Sequence, residues 1–226
     1  MIGIICAMAL EAEKIEAEMT GVHEDVISGV TYKSGKVGDC EIVLAVCGVG
    51  KVFAALCAEV MILQYKPDAI INAGVAGSLK EDLWVFDSVL AREVLQHDMD
   101  TSAIGDPPGL ISGINKIEFK TDSALSYMIE EAAKEHNIGI KYVKIATGDK
   151  FVDTDEDRNA IREKFGADVC EMEGGAIAQV CYVNGVPFAL LRTISDAECE
   201  DFAAFAARAA DISATIILAY LNSLLS

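Results

Sequence analysis

The sequence predicts an α/β domain in which helices cover both faces of a central sheet. Strand-like and helix-like runs alternate along the whole chain, and this alternation indicates a mostly parallel or mixed sheet. The 226 residues can enclose a sizeable core, since 52% of them are hydrophobic and only 4 are Pro. No linker, repeat or low-complexity tract interrupts the pattern, so we expect one domain over residues 1–226.

Apolar runs between Gly, Pro or polar clusters predict the individual elements. The predicted strands span residues 2–8, 30–34, 41–46, 69–73, 88–94, 142–146, 169–172 and 187–194. The predicted helices span residues 10–19, 52–65, 122–134, 155–165, 175–184 and 202–225. Pro67 ends the second helix, and Asp122 or Ser123 caps the third. Residues 98–118 contain several Gly together with Pro107 and Pro108, which predicts a long loop of the kind that is usually functional.

The charge excludes several classes of partner. A formal net charge of −18 argues against nucleic acid polymers and anionic membranes, because binding a phosphate backbone needs a basic patch. It does not argue against one small nucleoside, whose base and sugar are neutral. The N-terminal residues lack the basic and long apolar segments of a signal peptide, and no run approaches about 20 uninterrupted apolar residues. We therefore expect no membrane association.

The cysteines and histidines predict neither disulfides nor a metal site. The 7 Cys are odd in number, form no C-x-x-C pair and lie mostly inside apolar runs, which is typical of free thiols in a reducing cytosol. His23, His97 and His136 show no metal-ligand spacing with each other or with Cys. The expectation is a cytoplasmic protein without a bound metal.

Acidic residues follow two apolar strands, at the end where ligands bind in α/β sheets. Glu171 and Glu173 follow the strand from Val169, and Asp196 follows the strand from Pro187. A carboxyl group beside apolar core is desolvated, and desolvation can raise its pKa into the range that suits general acid chemistry. Any one of these acids could simply cap a helix. Two strands that end in this way favour a functional site.

Two glycine-containing segments follow other strands. Gly48-Val-Gly-Lys51 opens a helix, so its backbone N–H groups suit an anion or a polar ligand group. It lacks the spacing of a phosphate-binding P-loop and of a dinucleotide fingerprint, and a plain tight turn is its alternative. Gly74-Val-Ala-Gly77-Ser78 is interpreted as a second turn, where small residues allow close approach of a ligand or close packing.

The segment from Val169 to Ala178, followed by Leu191-Arg-Thr-Ile-Ser-Asp196, resembles the 5′-methylthioadenosine/S-adenosylhomocysteine nucleosidases of the nucleoside phosphorylase/nucleosidase superfamily. Residues 3–11, 47–52, 72–77, 97–100 and 147–152 resemble further blocks of that family, in the same order and across nearly the whole chain. The resemblance implies a three-layer α/β/α fold with a central mixed β-sheet. It also implies a nucleosidase that needs neither a metal nor an organic cofactor.

The resemblance assigns roles to individual residues. Asp196 would protonate adenine at N7, Glu173 would bind the ribose hydroxyls, and Glu11 would activate the attacking water. Arg192 would position Glu173 or a substrate hydroxyl; alternatively, it only forms an ion pair. The alternative for Glu11 is an acid in the first turn of a helix, which complements the helix dipole. The remaining substrate-binding residues would be Met8, Val49, Val75, Phe151, Val152, Met172, Ser195 and Ile104.

The assigned contacts are of three kinds. The resemblance implies that Phe151 stacks on adenine, with the backbone at Val152 pairing with the base, and that Met8 and Met172 line the sugar face. The turn that contains Val49 would lie beside the ribose and its attacking water. Val75 departs from the family, which usually has Ser there, so one polar contact near the sugar is lost.

The residues favour water over phosphate as the nucleophile. Related phosphorylases bind phosphate with Arg residues in the first loop, whereas residues 9–14 contain no Arg and two Glu, which would repel phosphate. The expected reaction is hydrolysis of 5′-methylthioadenosine, S-adenosylhomocysteine or 5′-deoxyadenosine with release of adenine. A purine nucleosidase for futalosine or a nucleotide, a phosphorylase, and a non-catalytic nucleoside sensor are the alternatives.

The loop at residues 98–118 predicts an oligomer. It is apolar at Ile104, Pro107, Pro108, Leu110 and Ile111, and exposed apolar surface of this kind commonly marks an interface. The resemblance implies a homodimer in which this loop completes the partner's 5′-substituent pocket, with Ile104 facing that pocket. The alternative is a loop that folds back on its own subunit. The sequence does not define the 5′ group.

Overall fold

The computed structural model describes residues 1–196 and 201–224, which form ten strands and six α-helices. The strands are β1 Ile2–Cys6, β2 Thr20–Ile27, β3 Val30–Val37, β4 Cys40–Val46, β5 Ala69–Ser78, β6 Ser88–Gln96, β7 Glu118–Lys120, β8 Ile140–Thr147, β9 Val169–Glu171 and β10 Phe188–Asp196. The helices are α1 Ala9–Ala17, α2 Lys51–Tyr65, α3 Ser123–Glu135, α4 Asp155–Phe165, α5 Gly174–Asn184 and α6 Asp201–Ser223.

The strands form one mixed sheet, as predicted. Its order is β10-β6-β8-β9-β5-β1-β4-β3-β2, with β7 added beside β6. The pairs β1–β4, β1–β5, β5–β10, β6–β8 and β8–β9 are parallel, and the others are antiparallel. Because β10 also pairs with β5, the strands β5, β9, β8, β6 and β10 close on themselves. This closure brings the ends of β5, β9 and β10 together.

Alternate residues of the central strands pack into two hydrophobic cores, one on each face of the sheet. Ile5 of β1 packs with α2 and α5, whereas its neighbour Ile4 packs with α1, α3 and α6. Ile70 and Ile71 of β5 divide in the same way. A strand that is apolar on both faces must be covered on both sides, and the helices provide that cover. The predicted helix–sheet–helix arrangement is confirmed.

The closing helix α6 belongs to this core. Its segment Ala204–Ser223 is long and apolar enough to span a membrane by length and composition alone, and 56% of it is buried inside the domain. It packs on α1, α3, β5 and β10, and the fully buried Tyr220 and Ile217 lie at that contact. These contacts make α6 a core helix of this domain.

The structure corrects three local predictions. Residues 20–27 form β2, which the sequence did not indicate because this edge strand is mostly exposed and polar. Residues 74–78 are not a turn but the second half of the fully buried β5. The helix predicted at residues 10–19 is present as α1, and residues 9–14 form its first turns. The predicted loop at 98–118 contains a short 3₁₀-helix, Ser102–Ile104, and its last residue, Glu118, begins β7.

Candidate active site

A cavity of about 360 Å³ opens at the carboxyl ends of β1, β8, β9 and β10, beside the second half of β5. Besides Glu171, its mostly apolar wall contains the three buried carboxyl groups predicted to be catalytic, those of Glu11, Glu173 and Asp196. Each of these residues is at most 5% exposed. The predicted residues that line the cavity are Met8, Glu11, Val49, Val75, Phe151, Val152, Met172, Glu173, Ser195 and Asp196.

Two predicted site residues lie elsewhere. Arg192 does not line the cavity: it is buried behind the wall, with 2% of its surface exposed. Ile104 is 83% exposed at the end of the 3₁₀-helix and faces solvent in the single chain. Ile104 therefore does not line the cavity of its own chain.

Glu11 is held by backbone N–H groups at the start of α1. Its Oε2 accepts hydrogen bonds from the backbone N atoms of Ala7 (2.8 Å) and Met8 (2.9 Å), and its Oε1 accepts one from Val75 (3.0 Å). Burial raises the pKa of Glu11 above its usual range, while Arg192 and the three N–H donors oppose the shift. A buried carboxylate with a raised pKa suits proton abstraction from water near neutral pH.

Two glycines of β5 make room for the carboxyl groups. A Cβ atom at Gly74 would lie 2.4 Å from Glu11 Oε1, and one at Gly77 would lie 2.8 Å from Asp196 Oδ2. Both distances are shorter than van der Waals contact allows. The small residues of this segment therefore permit close packing of the two acids on a strand.

Glu173 lies at the junction of β9 and α5, beside the turn that opens α2. The backbone N of Gly50 donates to Glu173 Oε1 at 2.9 Å, and Arg192 Nη2 lies 3.8 Å from Oε2. Burial, followed by the nearby carboxylate of Glu171, raises the pKa of Glu173 to about 7. The turn at Gly48–Lys51, which suits an anion or a polar ligand group, thus binds a carboxyl group of the protein itself.

Glu171 also lies at the cavity wall, but its carboxyl oxygens are bound by other groups of the protein. Its Oε2 accepts from the backbone N atoms of Glu173 (3.0 Å) and Gly174 (2.7 Å), and Arg192 Nη2 donates to the same oxygen at 2.6 Å. Thr147 Oγ1 donates to Oε1. Glu171 therefore satisfies the N-terminus of α5 and serves as the main counter-ion of Arg192.

Asp196 ends β10 inside the cavity. Ser195 Oγ donates to Asp196 Oδ1 at 2.7 Å, and Arg158 Nη2 lies 3.4 Å from Oδ2. Phe151 and Val152 follow the end of β8 on the same wall, and Phe202 of α6 packs edge-on against Phe151 with ring centroids 5.4 Å apart. The two rings give the cavity an aromatic wall, and such a wall beside a carboxyl group suits a heterocyclic base.

Sequence reasoning did not identify Phe202 or Arg158 as site residues. In the sequence, Phe202 is the predicted start of the last helix, and no local motif marks it as a site residue. Arg158 lies on the inward side of α4 with Ile161, and these two are the buried residues of that helix. An Arg three residues before an apolar position in an otherwise charged helix was the signal available in the sequence. Within the parts of the chain that the structure describes, no three His, Cys, Asp or Glu converge as metal ligands do.

The chain is similar to a known protein family and to several characterised relatives. The model of the phosphorylase superfamily matches residues 1–222. Aminodeoxyfutalosine nucleosidase of Campylobacter jejuni is 38% identical over 221 residues, which cover 96% of this chain and 96% of that protein. The 5′-methylthioadenosine/S-adenosylhomocysteine nucleosidase of Staphylococcus haemolyticus is 37% identical over 197 residues, which cover 87% of this chain and 86% of that protein.

A solved structure agrees over nearly the whole chain. It is the 5′-methylthioadenosine/S-adenosylhomocysteine nucleosidase of Helicobacter pylori in complex with a pyrrolidine that carries a 4-aminopyrrolopyrimidine. It matches with a TM-score of 0.93 and 34% identity over 98% of this chain and 97% of that one.

Together, the fold, the cavity and these matches define an N-glycosyl hydrolase that acts on small-molecule nucleosides. The protein belongs to the phosphorylase superfamily and, within it, to the 5′-methylthioadenosine/S-adenosylhomocysteine nucleosidase family. The predicted family, fold and enzyme class are thereby confirmed.

Proposed function

We propose that the protein hydrolyses the N-glycosidic bond of 5′-modified adenosines and releases adenine and a free sugar. The observation that carries this proposal is that the buried carboxyl groups of Asp196, Glu173 and Glu11 meet at one apolar cavity. Cleavage of a glycosidic bond needs a group that protonates the leaving group, a group that stabilises an oxocarbenium-like sugar, and a nucleophile. Asp196 supplies the proton, Glu173 supplies the negative charge, and Glu11 activates the water molecule that serves as the nucleophile.

Asp196 donates its proton to N7 of adenine as the C1′–N9 bond breaks and the bonding electrons move to the base. Its place beside Phe151 and Val152 supports this role, because these residues border the space that suits the base. Glu173 accepts hydrogen bonds from the ribose 2′- and 3′-hydroxyls, and its negative charge stabilises the sugar cation. A water molecule then attacks C1′ and passes its proton to Glu11. No metal or organic cofactor takes part in these steps.

Four compounds are candidate substrates, and they differ in the substituent at the 5′ position of the ribose. 5′-Methylthioadenosine, S-adenosylhomocysteine and 5′-deoxyadenosine all present a base and a ribose that fit the proposed roles. Aminodeoxyfutalosine is a second candidate substrate, favoured by the 38% identity to the Campylobacter jejuni enzyme that is named for it. A panel of these four compounds, scored by kcat/KM, tests the proposal. Failure to release adenine from every member would contradict it and favour a non-catalytic nucleoside sensor.

We also propose that the enzyme works in the cytoplasm as a homodimer. The six cysteines in the described residues are free thiols, and a reducing compartment such as the cytosol keeps thiols in this state. Apolar side chains are exposed at the start of α2, where Val52 is 78% and Phe53 is 54% exposed. Lys51 Nζ binds Asp98 Oδ1 at 2.6 Å and so joins this helix to the loop that carries Ile104. Helix α2 and that loop form one surface for a partner.

Ile104→Asp tests the dimer. A charge at a buried interface position should dissociate the dimer and raise KM for 5′-methylthioadenosine, because the pocket would lose the partner's loop. Light scattering should give about twice the chain mass of 24.1 kDa for the native enzyme. The control is Met128→Asp on the exposed side of α3, on the opposite face of the sheet, which should change neither property. A fully active native enzyme with the mass of one chain would refute the dimer.

A further inference from the structure

Arg158 is a buried cation in a helix that otherwise carries its charges on the surface. It lies in the first turns of α4, and only 6% of its surface is exposed. Moving an arginine out of water is costly unless partners satisfy its charge and its N–H groups. The contacts of its guanidinium therefore indicate why the residue is buried.

The guanidinium of Arg158 joins the strand β5 to the acid at the end of β10. Nη1 donates to the backbone O of Ser78 at 3.0 Å, which fixes the plane of the group against β5. Nη2 lies 3.4 Å from Asp196 Oδ2, and the two side chains are 7% and 6% exposed. Two donors of one planar group thus connect a strand to the carboxyl group of Asp196.

We propose that Arg158 is a positioning residue that makes Asp196 a stronger acid during cleavage of the glycosidic bond. This inference rests on the proposed role of Asp196. In the proposed mechanism Asp196 carries its proton before cleavage, and a cation stabilises a neutral carboxylic acid only weakly. When the proton moves to adenine N7, Asp196 becomes a carboxylate beside Arg158, and the attraction is strongest at that stage. A contact that strengthens toward the transition state increases kcat.

Other ionisable groups border Asp196 on the described elements. Cys170 of β9 approaches it beside Gly77, and burial raises the pKa of this thiol to about 12, so it is neutral near pH 7. Glu11 and Glu173 share the cavity with Asp196. These two acids disfavour a second negative charge, whereas Arg158 favours it. Removing Arg158 should therefore let Asp196 retain its proton to higher pH.

The test combines Arg158→Gln with Asp196→Asn in a double-mutant cycle. The substrate is 5′-methylthioadenosine, and the measurements are kcat, the pH profile of kcat/KM and the thermal midpoint of each variant. Arg158→Gln alone should lower kcat about tenfold to a hundredfold, the size expected for one charged hydrogen bond. In the pH profile of kcat/KM for this variant, the alkaline limb should move to higher pH. In the Asp196→Asn background the same change should alter kcat less than about twofold, because residues that act as a unit are not additive.

Two further variants separate catalysis from folding. Arg158→Lys keeps the charge, so the alkaline limb should return toward its native position. If Arg158→Gln does not fold, Arg158→Met, which also removes the charge, replaces it in the cycle. Arg162→Gln is the matched control. Arg162 lies on the same helix and contacts the backbone O of Leu79 and the side chain of Asn159, so its loss should leave the pH profile unchanged.

Each outcome decides the proposal. An equal loss of kcat in both backgrounds, or a lower thermal midpoint with native kcat and an unmoved alkaline limb, would show that Arg158 only anchors α4. A near-native rate for Asp196→Asn by itself would remove the general acid, and with it the role of Arg158. A slow Asp196→Asn variant with additive effects of Arg158 would overturn this inference alone and leave the proposed function in place.

Discussion

Asp196→Asn should lower kcat for 5′-methylthioadenosine by about 10²–10⁴-fold, the usual contribution of general acid catalysis. Asn has nearly the same shape as Asp but carries no proton that it can give to adenine N7. The fold should survive, because Asn can still accept a hydrogen bond from Ser195 Oγ, which lies 2.7 Å from Asp196 Oδ1. Steady-state kinetics together with thermal unfolding measure the two effects separately.

A change of leaving group provides the control for Asp196. A riboside whose leaving group departs as a stable anion, such as 4-nitrophenolate, needs no protonation. Asp196→Asn should therefore lower kcat much less for this riboside than for an adenine nucleoside. Equal losses on both substrates would assign Asp196 to binding rather than to proton transfer. A near-native rate on the adenine nucleoside would remove Asp196 from the mechanism.

Glu173→Gln should lower kcat/KM on ribosides by about 10²–10³-fold, since it removes a charge that binds hydroxyl groups and stabilises the sugar cation. The same variant should lose much less on the 2′-deoxy substrate, which lacks one of those hydroxyls. Comparing native enzyme and variant on the two substrates measures the interaction directly. If the native enzyme cleaved 2′-deoxy and ribose substrates equally well, Glu173 would not bind the 2′-hydroxyl.

The pH dependence of stability checks the environment of Glu173 independently of activity. Its pKa is raised from the usual 4.5 to about 7, so between these values the native state binds more protons than the unfolded state. The contribution of Glu173 to the free energy of unfolding should therefore fall as pH rises from about 4.5 to about 7. Glu173→Gln lacks this contribution and should gain stability relative to the native enzyme above pH 7. A stability difference that is constant with pH would show that Glu173 titrates normally.

The sequence predicted the strands that build the site because they are strongly apolar. The runs that became β1, β5 and β10 are flanked by Gly, Pro or acidic residues, and the parallel arrangement then brings their carboxyl ends to one side. Glu11, Glu173 and Asp196 could be predicted on that basis together with the family resemblance. The structure places all three at one cavity.

Other features depended on tertiary contacts that local patterns do not encode. Glu171 and Glu173 are two residues apart and identical in type, yet one binds the N-terminus of α5 and Arg192 while the other accepts from Gly50 beside the cavity. The glycines of β5 resemble a turn locally, but their absent side chains make room for carboxyl groups from distant segments. The proposed role of Arg158 depends on its contact with Asp196, which lies on β10 and is distant in sequence.

The identity of the nucleophile tests the central claim most directly. The enzyme should be incubated with 5′-methylthioadenosine in H₂¹⁸O, with and without phosphate, and the sugar product analysed by NMR and mass spectrometry. The carboxyl groups of Glu11 and Glu173 at the cavity would repel phosphate, so water should be the nucleophile. We predict free adenine, ¹⁸O on C1 of a free sugar and no acceleration by phosphate. A sugar 1-phosphate, formed faster as phosphate is added, would contradict the account and make the protein a phosphorylase.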